Sequence, residues 1–351
     1  MERAQFDTVL CDLTALAGIS GHEKAVRRYL ASVWAERADQ VWADDVGNVI
    51  ARFGPEKALY KTAVLAHMDS VGLMVKRINS DGTLGVVAVG GVNMKALPGA
   101  AVRIGDGETL DVPGVIGVRA QHLARAGDEM ASIDDVYVQV DPAQLPEIKI
   151  TTPIRYAPQV VRLGEGLFCA PSLDNRAGCA VLVELARILT PQPDTTVYLV
   201  GTVQEETTCA GAMNALREID PDVAVFVDGT VSYDTPETRS YGAVQLGGGP
   251  VLMSFLYVSG LNGWHAHPGL YARLQQVMEE LDLPYQQDAV RGLSSDARVA
   301  TWLGIPSVML GLPMRSKHSP VEMVHLDDLI YATRCLPTAI LEFIKEDTHA
   351  L

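Results

Sequence analysis

Apolar residues recur every three or four positions at the start of the chain. Phe6, Val9, Leu10, Leu13 and Leu16 fall on one helical face, and Gly18 ends that run. Ser20, followed three residues later by Glu23, has the spacing of a capping box and predicts a second helix reaching about residue 36. Val41 to Phe53 reads as a hairpin turning near Gly47-Asn48, and Tyr60 to Ala66 as a buried strand. From Val71 to Leu163 the texture changes. That stretch holds 15 Val and 11 Gly, with short β-type runs such as Val86–Val89, Val115–Val118 and Val136–Val140 and almost no helical period. It predicts a small β-barrel or sandwich. Within it, Gln121 to Ser132 is polar and Ala-rich and reads as a mobile loop.

After Leu163 apolar strands alternate with amphipathic helices. The predicted strands are Thr195–Val203, Val223–Val227, Val251–Val258 and Ile305–Leu310. The predicted helices are Arg176–Leu189, Ala210–Ile219, Leu270–Leu281, Ala297–Leu303 and Leu326–Ile344. Strands apolar throughout and separated by helices predict an α/β sandwich around a largely parallel sheet. The expected organisation is one α/β domain, residues 1–70 plus 164–351, interrupted by a β-rich insertion at 71–163.

Charge adds a constraint. The 351 residues carry 28 Lys and Arg against 43 Asp and Glu, a net charge of −15. A polyanion would be repelled, and the densest basic clusters are pairs such as Arg27-Arg28, so nucleic acid is not an expected partner. The imbalance is uneven: residues 71–163 hold 9 basic and 10 acidic residues, so nearly all the excess lies in the remainder. Cys11, Cys169, Cys179, Cys209 and Cys335 show no CxxC spacing and read as reduced, mostly buried thiols. The first residues lack the apolar stretch of a signal peptide, and no run approaches the roughly 20 apolar residues of a membrane span. A soluble, cytoplasmic protein is the expectation, with no membrane partner.

Ligands of open α/β sheets bind beyond the carboxyl ends of the strands. Those places here carry His67-Met68-Asp69, Asp174 in Ser172-Leu173-Asp174-Asn175, Glu205-Glu206, Asp228 and His318. Each has a plain reading when taken singly. Asp174 is a helix N-cap by default, Asp228-Gly229 a turn and the Glu pair a solvated loop. Together they form a ligand set for two divalent cations, because imidazole suits Zn, Co, Fe or Ni and carboxylates can bridge two ions. A carboxylate two residues from His67 can hold that imidazole's second nitrogen. Adjacent Glu205 and Glu206 do not easily reach one ion together, so one can bind metal while its neighbour accepts a proton. His22, His265, His267, His325 and His349 read as structural or surface residues, with His265 and His267 also candidates for a pocket. Other chemistries are weaker. There is no GxSxG elbow, P-loop or GxGxxG after a strand, and Gly247-Gly248-Gly249-Pro250 precedes a strand, which makes it a poor phosphate cradle. Cys179 and Cys209 read as packing residues rather than nucleophiles.

The segments AHMDSVGLMV (66–75), SLDNRAG (172–178), QEE (204–206), FVDGT (226–230) and KHSPVEMV (317–324) resemble those of the M42 metallo-aminopeptidases, along almost the whole chain. M20 peptidases have a similar ligand order but place their extra domain between the fourth and fifth ligands. Here the insertion falls between Asp69 and Asp174, the M42 arrangement. The resemblance implies a three-layer, zinc-peptidase-like α/β fold with a small β-barrel insertion that serves in oligomerisation. It implies two divalent ions, Zn or Co, with His67 and Asp228 on one, Glu206 and His318 on the other, and Asp174 bridging both. Glu205 would be the general base and Asp69 would orient His67. The implied activity is removal of N-terminal residues from short peptides, by a homo-dodecamer or a smaller homo-oligomer. There are departures from the family pattern. Thr207-Thr208-Cys209-Ala210-Gly211 replaces a Val-Gly-Leu-Arg-Gly-type segment, Ser294-Ser295-Asp296-Ala297 replaces Gly-Thr-Asp-Ala, and Arg315-Ser316-Lys317-His318 replaces Arg-Tyr-x-His. They leave two further readings open: a hydrolase of a small modified dipeptide or N-acyl amino acid, and an inactive assembly protein.

Overall fold

A computed structural model describes residues 2–123, 132–190 and 192–343. The helical periodicity at the start gives α1 (Arg3–Ala15) and α2 (Lys24–Trp34). The hairpin gives β1 (Gln40–Ala43) and β2 (Val49–Phe53), followed by β3 (Tyr60–His67). The expected capping box before α2 is not formed. Ser20 Oγ instead lies 3.0 Å from Thr207 Oγ1, and Glu23 Oε1 accepts the N–H groups of Gly21 and Gln204. His22 precedes α2 rather than lying within it.

The β-rich stretch forms a closed barrel. Its strands are β4 (Gly72–Ile78), β5 (Leu84–Val89), β6 (Ala101–Ile104), β7 (Val112–Ile116), β8 (Tyr137–Val140) and β9 (Pro153–Tyr156), closed in the order β4-β5-β8-β7-β6-β9. Leu73, Val86, Val102, Ile104, Ile116, Val138 and Ile154 fill its interior as a core of its own. The alternation of Val with small or polar residues has this cause, since every second side chain points inward. Most of the predicted loop Gln121–Ser132 lies outside the described residues; Gln121–Leu123 form a short 3₁₀ turn.

Val161–Leu163, grouped with the β-rich stretch on composition, do not join the barrel. They form β10, which pairs with β11 (Leu167–Ala170), and β11 pairs in turn with β18 (Glu322–His325). The rest of the chain adds α3 (Leu173–Ile188), β12 (Thr195–Thr202), α4 (Ala210–Ile219), β13 (Val223–Val231), β14 (Val251–Tyr257), β15 (Gly263–His265), α5 (Pro268–Glu280), β16 (Gln286–Arg291), α6 (Ala297–Leu303), β17 (Ser307–Met314) and α7 (Leu326–Phe343). Among the described residues a nine-stranded sheet runs β1-β2-β12-β3-β13-β17-β14-β15, with β16 beside β14. Only its centre, β12-β3-β13-β17, is a continuous parallel block; β1, β2 and β15 pair antiparallel, and so does β14 with β17. The sheet is therefore mixed rather than largely parallel. The hairpin at one edge and the reversed β14 at the other supply the antiparallel pairs, and neither leaves a mark on hydrophobicity.

The central strands are buried on both faces. Val64, Leu199, Val225 and Leu310 pack into a core with α1, α2, α3, α5 and α7, while Leu65, Val200, Phe226 and Met309 join α4 and α6 on the other side. This explains their unbroken apolar runs. The four described buried cysteines and half-buried Cys11 are all free thiols. No helix among the described residues is long and apolar enough to cross a membrane.

The Gly-rich segment before β14 has a structural task. The N–H groups of Gly247 and Gly249 each donate to the Asp328 carboxylate at 2.8 Å, tying that turn to the first turn of α7. At Gly249 (φ +96°) a Cβ would lie 2.2 Å from the Pro284 carbonyl oxygen, so only glycine fits. Burial pushes the Asp328 carboxyl up to about 7 although both N–H groups favour its charged form. Replacing Asp328→Ala leaves two donors without their acceptor and should cost about 2–4 kcal/mol, read from urea unfolding at neutral pH. A loss below about 0.5 kcal/mol would show that the turn finds other partners.

Candidate metal centre

Parallel strands place their carboxyl ends on one edge of the sheet, and the candidate residues gather there. His67 is the last residue of β3 and stands opposite Thr202, the last of β12, so the residues after β12 rise beside it. Asp228 lies within β13, which runs on to Val231, and the turn reading of Asp228-Gly229 does not hold. Asp174 is not the N-cap of α3. Ser172 occupies that place, while Asp174 and Asn175, joined by a cis peptide, depart from helical geometry and aim the carboxylate into the cleft. His318 sits in the turn between β17 and β18 with φ +63°.

Among the described residues the side chains form three overlapping groups, two of which share Asp174. His67 Nε2 lies 3.4 Å from Asp174 Oδ1 and 3.3 Å from Asp228 Oδ1. His318 Nε2 lies 3.3 Å from Asp174 Oδ2 and 3.3 Å from Glu206 Oε1. In each triad the ligand atoms fall within 4.8 Å of one another, and Asp174 belongs to both. A third group, His67, Glu205 and Glu206, meets the same distance limit, with Glu205 Oε2 3.8 Å from His67 Nε2. Asp69 lies just beyond β3 rather than in it, so strand alternation is not what brings it near. The chain bends, so that His67 Nδ1 lies 3.1 Å from the Asp69 carbonyl oxygen and 3.4 Å from its carboxylate Oδ1. Its two oxygens also accept the N–H groups of Glu205 and Glu206 at 3.0 and 3.1 Å. Asp69 thus ties the imidazole and the Glu pair into one unit.

Burial and mutual charge set the protonation states. Burial opposes a charge on His67, but the Asp228, Asp174 and Asp69 carboxylates outweigh it and hold the imidazole well above its usual value. His318 is likewise lifted against burial, to about 11, by Asp174 and Glu206. Glu205 goes well above the usual carboxylate range because it is buried and faces Asp228, Glu206 and Asp296. Glu206 is raised by burial too. Asp174 moves the other way despite burial, held well down by Lys317, His318 and His67.

Several residues that lie within the segments named above, but have no role assigned from sequence, complete the site. Lys317 Nζ lies 2.9 Å from Asp174 Oδ2 and donates to the Gly229 carbonyl at 2.7 Å. Glu322 accepts the N–H of Asp174 through Oε2 and that of His318 through Oε1, so one buried carboxyl fixes two loops. Burial beside Asp174 raises the Glu322 carboxyl to about 8. Ser295 Oγ donates to Asp228 Oδ2 at 2.6 Å, and Thr202 Oγ1 to Asp296 Oδ2 at 2.6 Å. Segment 294–297 therefore bears on the metal-facing carboxylates. The barrel contributes as well: the Gly91 carbonyl oxygen is 2.7 Å from His318 Nδ1, and Asn93 N–H donates to the His318 carbonyl. His265 and His267 stay outside this constellation; His265 packs on Phe255 and His267 caps α5 by accepting the Leu270 N–H. His325 lies at the end of β18, and His349 falls outside the described residues.

The cluster fits divalent metal. Asp174 Oδ1 and Glu206 Oε1 are buried and accept no hydrogen bond. Such oxygens are costly unless something satisfies them, and a cation held between imidazole and carboxylate does so.

The M42 glutamyl aminopeptidase family profile matches residues 47–334. Lysyl aminopeptidase of Pyrococcus furiosus is 33% identical over 340 residues, which span 93% of this chain and 94% of that protein. The solved structure of an aminopeptidase from the archaeon Desulfurococcus kamchatkensis matches with a TM-score of 0.91 at 29% identity, over 97% of this chain and 95% of that one. The TET1 peptidase of Pyrococcus horikoshii, described as able to assemble into a tetrahedron or a large octahedral shell, matches with a TM-score of 0.83 at 25% identity, over 95% and 98%. On the profile match, the whole-length likeness and the shared fold, this chain belongs to the M42 aminopeptidase family.

Proposed function

We propose that this aminopeptidase removes N-terminal residues from short peptides at a dinuclear centre. The observation that carries the reading is Asp174, one carboxylate shared by two triads, with a buried oxygen that no hydrogen bond satisfies. His67, Asp174 and Asp228 would hold one ion, and Asp174, Glu206 and His318 the other. Zn and Co both suit this donor set. Bound there, two such ions supply Lewis acidity, polarising a carbonyl oxygen and making water a better nucleophile near neutral pH.

The chain's own residues do the rest. Glu205 takes a proton from the attacking water through its carboxylate. It returns that proton to the amine nitrogen as the C–N bond breaks, so one group serves as base and then as acid. Burial raises this carboxyl in the metal-free chain; cations bound beside it would favour the carboxylate that the first step needs. Asp69 is a positioning residue that orients His67 and pins the backbone of the Glu pair. The acidic cluster also attracts the substrate's free α-ammonium group, which favours cleavage at the N-terminus.

Self-association through the barrel, into a homo-dodecamer or a smaller homo-oligomer, belongs to the same reading. It is supported by the near-neutral charge of 71–163 and by exposed apolar residues on the barrel, Val87, Val115 and Val118.

Removing metal with a chelator should abolish hydrolysis of aminoacyl-anilides, and Zn²⁺ or Co²⁺ should restore it; activity that survives complete metal removal would sink the reading. Glu205→Gln should lower kcat by about 10²–10⁴-fold while metal content measured on the same sample stays unchanged. Light scattering should report a mass well above the 37.8 kDa of one chain, and a monomer at micromolar concentration would refute the assembly.

A further inference from the structure

Lys317 sits where a peptidase site built to hold cations would least be expected to carry one. Its ammonium lies 2.9 Å from Asp174 Oδ2, the oxygen that also faces His318. It cannot swing away freely. A second hydrogen bond holds it to the Gly229 carbonyl at 2.7 Å, and the side chain is only 12% exposed. The backbone is constrained on both sides, since Ser316 and His318 both have positive φ, 57° and 63°.

The two oxygens of Asp174 are therefore unlike. Oδ1, which faces His67 Nε2 at 3.4 Å and Asp228, has no hydrogen-bond partner among the described residues and no contact with the lysine. Oδ2, shared with His318 and Glu206, already gives charge and a lone pair to an ammonium. An ion entering between His318 and Glu206 meets a weaker donor and a fixed positive charge. On the other side, the second oxygen of Asp228 is held by the neutral hydroxyl of Ser295; the lysine's charge reaches Asp228 as well, but its direct contact is with the Asp174 oxygen that faces His318. With the ions removed, the same lysine offsets repulsion among Asp174, Glu206 and Asp228.

We propose that Lys317 is a built-in counter-cation with two effects: it stabilises the metal-stripped enzyme, and it makes the His318–Glu206 half-site bind its ion more weakly than the His67–Asp228 half-site. The inference rests on the dinuclear reading above and adds an order of filling set by one residue. A lysine with a merely structural role would have a different signature, because its removal would weaken folding and metal binding together. A counter-cation makes the two move in opposite directions.

The test is a Co²⁺ titration by calorimetry of chelator-stripped, full-length enzyme at neutral pH, with bound metal counted independently. Wild type should bind two ions in unequal steps. Lys317→Met, which keeps the length and loses the charge, should tighten the second step by roughly tenfold or more and move the first by less than about threefold. The stripped variant should melt at a lower temperature than stripped wild type, and the gap should shrink with two ions bound. Lys317→Arg, which keeps the charge, should behave as wild type, and Lys317→Gln serves if the Met variant does not fold. Two ions bound with the second step unchanged or weaker in the charge-free variants would overturn the inference while leaving the dinuclear reading intact. Failure of every variant to take up a second ion would overturn both.

Discussion

The constraint on which the site depends is repulsion among buried carboxylates. Asp69, Asp174, Glu205, Glu206 and Asp228 converge on one cleft, and two like charges 4 Å apart at an effective dielectric of 20 repel by about 4 kcal/mol. No sheet geometry tolerates several such pairs without compensation. Three of the five have a specific answer: Asp69 takes two backbone N–H groups, Asp174 takes Lys317, and Asp228 takes the Ser295 hydroxyl. The imidazoles of His67 and His318, one in each triad, draw positive charge into the cleft. Two oxygens find no hydrogen-bond partner among the described residues, and a cation would satisfy them.

Holding these groups still takes the whole architecture. The parallel centre of the sheet puts His67, Asp228 and the segment after Thr202 on one edge, because parallel strands end together. Glu322 brings the entry to α3 and the His318 turn to a single carboxyl, so Asp174 and His318 share one support. The barrel closes the other side through Gly91 and Asn93. The barrel therefore forms part of the support of the site.

Much of this was legible in the chain. The period-2 and period-3.6 patterns placed most elements within a few residues, because burial on both faces of a strand or on one face of a helix imposes those patterns directly. β15, β16 and β18 were missed; they are short or edge strands whose residues are partly exposed, so hydrophobicity leaves little trace of them. The mixed sense of the sheet was also hidden, since parallel and antiparallel partners demand similar side chains. In the site, the polar residues that end apolar strands stood out. Glu322 and Asp296 did not, because a buried carboxyl that binds backbone N–H groups or a hydroxyl looks in sequence like any surface acid.

The sequence alone determined which residues have the chemistry, since imidazoles and carboxylates at strand ends need no partner to be recognised as ligands. It also determined that a β-rich segment interrupts an α/β pattern, because side-chain periodicity is local. Only the tertiary structure decided that Asp174 serves two triads, that Lys317 lies against one of its oxygens and not the other, and that Gly91 of the barrel holds His318. Those facts concern residues far apart in the chain, with Asp174 and Lys317 meeting from opposite ends of the sheet's construction. Electrostatic consequences depend on distances of a few ångströms, which fold geometry sets and local sequence does not.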